Sequence, residues 1–277
     1  MQPVILFRET LAEEGELAVA KKYFHVIHQR SHAKEDELVI GRYSVLPYYE
    51  ELTSDLHFRG ARLINTNAGH RYIANLEDWY EDLGPELTPR TWFNGPSELP
   101  DDGRAFVLKG RTNSRKDRWR TLMFAANKRE AIEIYCKLMD DCLIAPQGVV
   151  IREYRPLMSF PIENLAGSPV TKEYRFFVYD GKVIAGGYYW SNFLEELRTY
   201  EDSPFYPSAA DVPVGVLQVF IDCIRKPVDG GPSFYVIDVG QLKTGGWIVI
   251  ELNDGQMSGL SDVNPDLLYH GLAEALK

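Results

Sequence analysis

Three oxygen-bearing side chains in the C-terminal third have the types and spacing of a magnesium site. Asp238 lies within FYVIDVG, and Glu251 and Asn253 lie within IVIELND. Glu251 and Asn253 are two apart, so on a strand both side chains leave the same face. If the two segments pair through a two-residue loop, Thr244-Gly245 sets Asp238 opposite Glu251, and Gly245-Gly246 sets it opposite Asn253. Either register gathers all three on one face. The apolar neighbours predict partial burial, and two carboxylates held close raise each other's pKa unless a cation neutralises them. Carboxylate and amide oxygens suit Mg2+, which proteins hold with one or two carboxylates plus substrate phosphates. The alternative is a water-facing polar row on an amphipathic hairpin, but Asp and Asn are disfavoured inside strands.

The opposite charge gathers elsewhere. From Arg104 to Arg129 the chain carries nine Lys and Arg (Arg104, Lys109, Arg111, Arg115, Lys116, Arg118, Arg120, Lys128, Arg129) against Asp117 alone, while its net charge is −10. Like charges held together repel, so the run predicts an anionic partner, and a phosphate-rich ligand is the economical choice; a solvated basic loop is the alternative. Lys109 ends an apolar strand and precedes Gly110, whose missing Cβ predicts room for a ligand beside the backbone. In KEYRFFVYDG, Glu173 and Arg175 share a face, and the guanidinium of Arg175 has the geometry to hold a phosphoryl oxygen; taken alone, the two read as a structural pair. IREYRPL places Arg152, Glu153 and Arg155 at the end of an apolar strand, where backbone groups can meet an adenine edge while the apolar residues cover the ring.

These residues need a scaffold. Length predicts one large domain or two small ones: 277 residues against a prior of roughly 150 per domain. With 45% hydrophobic and 25% charged residues the composition is that of a globular protein. The acidic balance argues against a nucleic-acid or membrane partner. Cys136, Cys142 and Cys223 lack CxxC spacing and read as thiols in a reducing compartment. The N-terminus lacks a signal-peptide pattern and no window approaches the ~20 apolar residues of a membrane span, so a cytoplasmic location is expected.

Strands at Val4–Phe7, Phe24–His28, Leu38–Ile40 and Ala61–Asn65 alternate with helices at Leu11–Tyr23, from Pro47 to about Arg59, and at Ala68–Gly84. This rhythm predicts an α/β N-terminal domain over residues 1–87. Pro85, Pro89, Pro96 and Pro100, with Gly95 and Gly103, punctuate the chain where the second domain, 88–277, begins. That domain reads as α+β with a largely antiparallel sheet. It has strands at Ala105–Lys109 and Gly148–Tyr154, and a helix over Asn127–Asp141 with Asn127 and Glu130 at capping-box spacing. A hairpin turns at Asp180-Gly181, and a helix spans Val214–Cys223.

Taken in order, FVLKGRTNSRKDRW, VVIREYRPL, KEYRFFVYDGKV, FYVIDVG and IVIELNDG, spread over about Thr88 to Gly259, resemble the ATP-grasp superfamily. The likeness is greatest to the clade named for one arginine and two lysines, found in bacterial and phage proteins. The sequence is also similar to the eukaryotic cell-division-cycle proteins that assist assembly of a translation initiation factor. The resemblance implies ATP and Mg2+ as cofactors. It implies that Lys109 meets nucleotide phosphates, that Arg115 and Lys116 sit in a mobile loop over them, and that Arg152, Glu153 and Tyr154 form the hinge at adenine. Arg175 would meet the γ-phosphate, making Arg175 and Lys109 the catalytic cations, and Asp238, Glu251 and Asn253 would hold Mg2+. Many ATP-grasp enzymes have a glycine-rich loop after the strand lysine; here GRTNSRKDRW is basic, as in this clade.

The activity so implied is ATP-dependent ligation of a carboxylate, through an acyl phosphate, to an amine, the substrates being unidentified and a peptide or protein among the options. The sequence contains no persuasive Ser–His or Cys–His pair, and this chemistry needs no enzyme nucleophile. A second reading is an ATP-binding assembly or chaperone factor that acts on a protein partner with little or no ligation. A metal-dependent nuclease using Asp238 and Glu251 fits the acidic charge poorly. His28 and His32 have HxxxH spacing but fall at a strand end, where ordinary surface histidines are expected.

Overall fold

The N-terminal alternation of apolar runs and helices folds as a parallel sheet. The computed structural model describes residues 2–8, 15–42, 48–164, 166–199 and 205–277. The chain divides into two compact units, each drawn from separate stretches. The first comprises Met1–Ile73, Tyr174–Asp238 and Leu252–Lys277, the second Ala74–Glu173 and Val239–Glu251. The boundary expected between residues 87 and 88 therefore falls inside the second unit.

In the first unit, β1 (Gln2–Phe7), α1 (Glu16–Tyr23), β2 (His25–Ile27), β3 (Glu37–Arg42), α2 (Tyr49–Phe58) and β4 (Arg62–Leu63) follow one another. The sheet order is β2-β1-β3-β4 and every pairing is parallel. The first residues of the helix expected from Leu11, and Pro47, expected to open another, lie outside the described residues. Helices cover both faces, which is why β1 and β3 read as continuous apolar runs rather than alternating ones. Ile5, Phe7 and Ile40 pack with Ala20 and Phe24 on one face, and Val4, Leu6 and Val39 pack with Leu52 and Leu56 on the other. The single helix expected over Ala68–Gly84 is two, α3 (Asn67–Ala74) and α4 (Leu76–Leu87), because Asn75 adopts extended backbone.

The second unit holds β5 (Thr91–Trp92), β6 (Phe106–Gly110), β7 (Phe124–Ala125), α5 (Lys128–Met139) and β8 (Val149–Glu153). Its sheet has the order β5-β8-β6-β7 and is antiparallel throughout. Ala131, Ile134 and Leu138 of α5 lie on one helical face and pack on Phe106, Leu108 and Ile151. The Asn127 side chain accepts the Glu130 N–H at 3.1 Å, while the Glu130 carboxylate accepts the Ala126 N–H rather than the Asn127 N–H, so the expected capping box is shifted by one residue. A two-stranded ribbon, β9 (Ser159–Glu163) and β10 (Pro169–Thr171), was not expected from the sequence.

The remaining elements are β11 (Glu173–Tyr179), β12 (Lys182–Tyr188), α6 (Leu194–Thr199), α7 (Val214–Cys223), β13 (Phe234–Gln241), β14 (Trp247–Asp254) and α8 (Pro265–Ala275). The strand order is β12-β11-β13-β14. Asp180 and Gly181 both have positive φ, 46° and 72°, the requirement of a type I′ turn, and Tyr179 pairs with Lys182 across it. The second hairpin turns over residues 242–246, the turn region its sequence marks, but not through a two-residue loop. Five residues, 242–246, separate β13 from β14, and the loop closes with Leu242 N–H donating to Gly246 O at 3.0 Å. Neither two-residue loop forms, because the chain first closes a turn inside the loop, the Gly245 N–H donating to Leu242 O at 3.0 Å. Among the described residues no helix is long and apolar enough to cross a membrane.

Candidate active site

In the second unit, the β6–β8 register sets Lys109 opposite Val150 and Val107 opposite Arg152. Opposed residues share a face, as do residues two apart, so Lys109 and Arg152 project together. Lys109 is buried and donates from Nζ to Glu251 Oε1. Lys116 Nζ lies 3.7 Å from the other carboxylate oxygen. Burial pushes Lys109 below the usual lysine range, and Glu251 opposes that shift. Burial likewise lowers Arg152 to about 10, again against the pull of Glu251. The Arg152 guanidinium donates to Ile250 O at 2.6 Å and Thr88 Oγ1 at 2.7 Å and lies 5.9 Å from the centre of the Trp79 ring. Glu251 is thus ringed by three cations from two strands and a loop.

At the end of β8, the Glu153 N–H donates to Arg90 O at 2.7 Å and the Tyr154 N–H to Ala105 O at 2.9 Å. The Glu153 carboxylate lies 3.5 Å from Arg104. Tyr154 packs edge-on against Phe124 at 5.1 Å and Trp119 at 6.4 Å, and burial pushes its phenol up. These three rings, with Arg120 and Lys243, line a cavity of about 510 Å3. In the basic loop, Arg115 forms a two-point pair with Asp141, both contacts 2.9 Å, and holds that carboxyl down to about 2. The space beside Gly110 is not open to a ligand: a Cβ there would meet Gln147 Oε1 at 2.5 Å. That oxygen accepts from Thr112 N–H at 3.1 Å, Thr112 Oγ1 at 2.7 Å and Asn113 N–H at 3.0 Å, so the glycine lets Gln147 pin the loop.

In the first unit, Arg175 and Asp238 meet as neighbours from β11 and β13. Nε donates to Oδ1 at 2.9 Å and a terminal nitrogen to Oδ2 at 2.8 Å, a two-point match of guanidinium and carboxylate. The second terminal nitrogen donates to Gly259 O at 2.8 Å, and the guanidinium lies 5.0 Å from the centre of the Tyr189 ring. Asp238 is 1% exposed. Asn253 is half-buried on β14. Asp254, next to it on the opposite face, is buried and accepts from Asn65 at 3.1 Å, while its other oxygen meets His70 Nδ1 at 2.9 Å. Sequence reasoning missed Asp254, Asn65, His70, Asp141 and Gln147. ELND hints that Asp254 faces away from Glu251 and Asn253, but its partners lie 184 and 189 residues away. The Glu173 carboxylate accepts from Thr171 Oγ1.

The structure therefore groups the nominated residues as Lys109, Lys116, Arg152 and Glu251 in one unit and Arg175 with Asp238 in the other. Among the described residues no three His, Cys, Asp or Glu side chains cluster as a metal cage.

The architecture is that of the ATP-grasp proteins. D-cycloserine synthetase DcsG superposes with a TM-score of 0.58 at 12% identity, over 100% of this chain and 99% of that one. The ATP-grasp ligase PsnB, complexed with a phosphomimetic precursor variant, Mg and ADP, gives 0.55 at 10% identity, over 100% and 99%. D-alanyl-alanine synthetase A from Vibrio cholerae gives 0.56 at 13%, over 99% and 96%. More narrowly, residues 98–272 match the ATP-grasp domain of family 3 in the clade named for one arginine and two lysines, and the chain belongs to that family. No curated protein matches the sequence.

Proposed function

We propose that this protein is an ATP- and Mg2+-dependent ligase that activates a carboxylate and joins it to an amine. The observation that carries the reading is the buried Lys109, set at the end of a strand with Glu251 as its counter-ion and Lys116 beside it. A buried lysine–glutamate pair contributes little to stability compared with an apolar pair, which points to a role in binding. Membership of the ATP-grasp family and the ligases among its structural neighbours support the same conclusion.

In this reading a carboxylate oxygen bonds to the γ-phosphorus as the bond to the β,γ-bridging oxygen breaks, giving an acyl phosphate and ADP. An amine then bonds to the acyl carbon, phosphate leaves, and the amine's proton passes to phosphate or solvent. Lys109 and Arg175 would neutralise phosphate charge, joined by Lys116; Arg115 would join them only by exchanging its partner Asp141 for phosphate. Arg152, Glu153 and Tyr154 shape the adenine end through backbone and ring. Asp238, Glu251 and Asn253 offer two carboxylates and an amide, hard oxygen donors that fit Mg2+. The ion, when bound, supplies charge stabilisation at the transferring phosphoryl group. Arg175 and Lys109 keep both carboxylates paired until then, so neither stands as an uncompensated buried charge.

The test is ADP release with Mg2+, ATP and pools of carboxylates and amines, followed by mass spectrometry of joined products. Asp238→Asn and Glu251→Gln should each lower turnover at least a hundredfold; normal turnover in both variants overturns the site. Tight ATP binding with a stable protein partner and no joined product would favour the assembly-factor reading instead.

A further inference from the structure

The first unit carries a second cavity, of about 450 Å3, whose lining includes Leu6, Arg8, His28, Arg30, Glu51 and Leu52. That volume lies in the range of small-molecule sites. Its position has a topological reason. Leu6 and Arg8 come from the end of β1, His28 follows β2, and Glu51 and Leu52 lie in the first turn of α2. In open parallel sheets ligands bind outside the carboxyl ends of the strands, near the point where strand order reverses. The order β2-β1-β3-β4 reverses at β1, whose end forms this wall.

The lining separates charge. Among the described residues no carboxylate lies against Arg8, which is exposed at one side. At the other, Arg30 contacts Glu51 at 2.6 Å and Asp55 at 2.9 Å, two anions sharing one cation, which leaves a surplus negative charge. His28 Nδ1 lies 3.3 Å from Phe7 O. Leu6, Leu52 and the exposed Tyr48 ring are the apolar surface. A cation, a surplus anion and an apolar wall within one small cavity complement a zwitterion with an apolar side chain.

We infer that this cavity binds an α-amino acid with an apolar side chain, its carboxylate on Arg8, its ammonium on Glu51 and its side chain against Leu6, Leu52 and Tyr48. A role for that amino acid as one of the two groups joined rests on the ligase reading above; binding itself does not. Calorimetric titration of the full chain without ATP should show leucine, phenylalanine or methionine binding, with the N-acetyl and carboxamide derivatives of the binder at least tenfold weaker. Arg8→Gln should weaken the amino acid at least tenfold, Arg8→Lys should recover part of the loss, and Glu51→Gln should weaken the free amino acid more than its N-acetyl derivative. Thermal midpoints and ATP affinity measured on the same variants report folding and the nucleotide site separately. No binding by any of the three amino acids overturns the inference, as does wild-type affinity in Arg8→Gln. A leucine-ended tripeptide binding as tightly as leucine would also overturn it, because a peptide C-terminus has no adjacent ammonium.

Discussion

The most demanding prediction concerns the asymmetry of the Lys109–Glu251 pair. Lys109 and Glu251 side chains are 8% and 17% exposed, and Glu251 has a second cation, Lys116, at 3.7 Å. Lys109→Met leaves a carboxylate that is still paired, so the stability loss should be small, about 1 kcal/mol. Glu251→Gln leaves a buried ammonium beside Arg152 with no counter-ion. Removing one partner of a buried pair costs roughly 3–5 kcal/mol, and the partial exposure of Glu251 favours the low end. At roughly 2–4 °C per kcal/mol, Glu251→Gln should lower the thermal midpoint by about 6–12 °C and Lys109→Met by about 2–4 °C. The double variant should be more stable than Glu251→Gln alone, since the buried Lys109 ammonium no longer stands beside Arg152 without a counter-ion. The pH dependence has a definite sign. Burial depresses the folded-state Lys109 below its ordinary value of 10.5, so between those two values the unfolded chain binds more protons and stability rises with pH. That rise should be steeper in Glu251→Gln and absent in Lys109→Met. Denaturant titration of all four proteins from pH 7 to about 10 measures these quantities. Equal losses in the two single variants, or losses that simply add in the double, would refute the charge argument.

Two further expectations are simpler. Asp141, held down to about 2 by Arg115, should titrate well below an ordinary aspartate in carboxyl NMR, and Arg115→Gln should return it towards 3.8; the stabilisation from this pair is present above pH 3.8 and is lost as pH falls towards about 2. Gly187, opposite Arg175, has Asp262 backbone 2.5 Å from where a Cβ would stand, so Gly187→Ala should cost more than about 2 kcal/mol, whereas Gly259→Ala, with nothing within 4 Å, should stay within about 0.5 kcal/mol by chemical denaturation.

Much of the fold was legible in the chain because its elements depend on local order. The apolar runs ending in Lys109 and Glu153, the Asp180-Gly181 turn and the helix over Val214–Cys223 obey short-range rules of periodicity and turn chemistry. Residue types at strand ends then suggested phosphate and magnesium chemistry, and family membership agrees with the ordered motifs. Pairings were another matter. Which cation holds which carboxylate depends on contacts such as Lys109 with Glu251 and Arg175 with Asp238, separated by 142 and 63 residues. The wide turn at 242–246 defeated the assumption of a two-residue loop, since two adjacent glycines are compatible with several turn lengths. Gly110 was read as room for a ligand, but tertiary packing fills that room with Gln147. Likewise the charges around Arg8, Arg30 and Glu51 have no local pattern; parallel pairing of β1 and β2 and the placement of α2 bring them to one cavity. Sequence alone determined most of the elements and pointed to the chemistry proposed, because backbone propensity and side-chain functional groups are carried locally. Only the folded chain decided the partners, because a buried charge selects its counter-ion by three-dimensional proximity and desolvation.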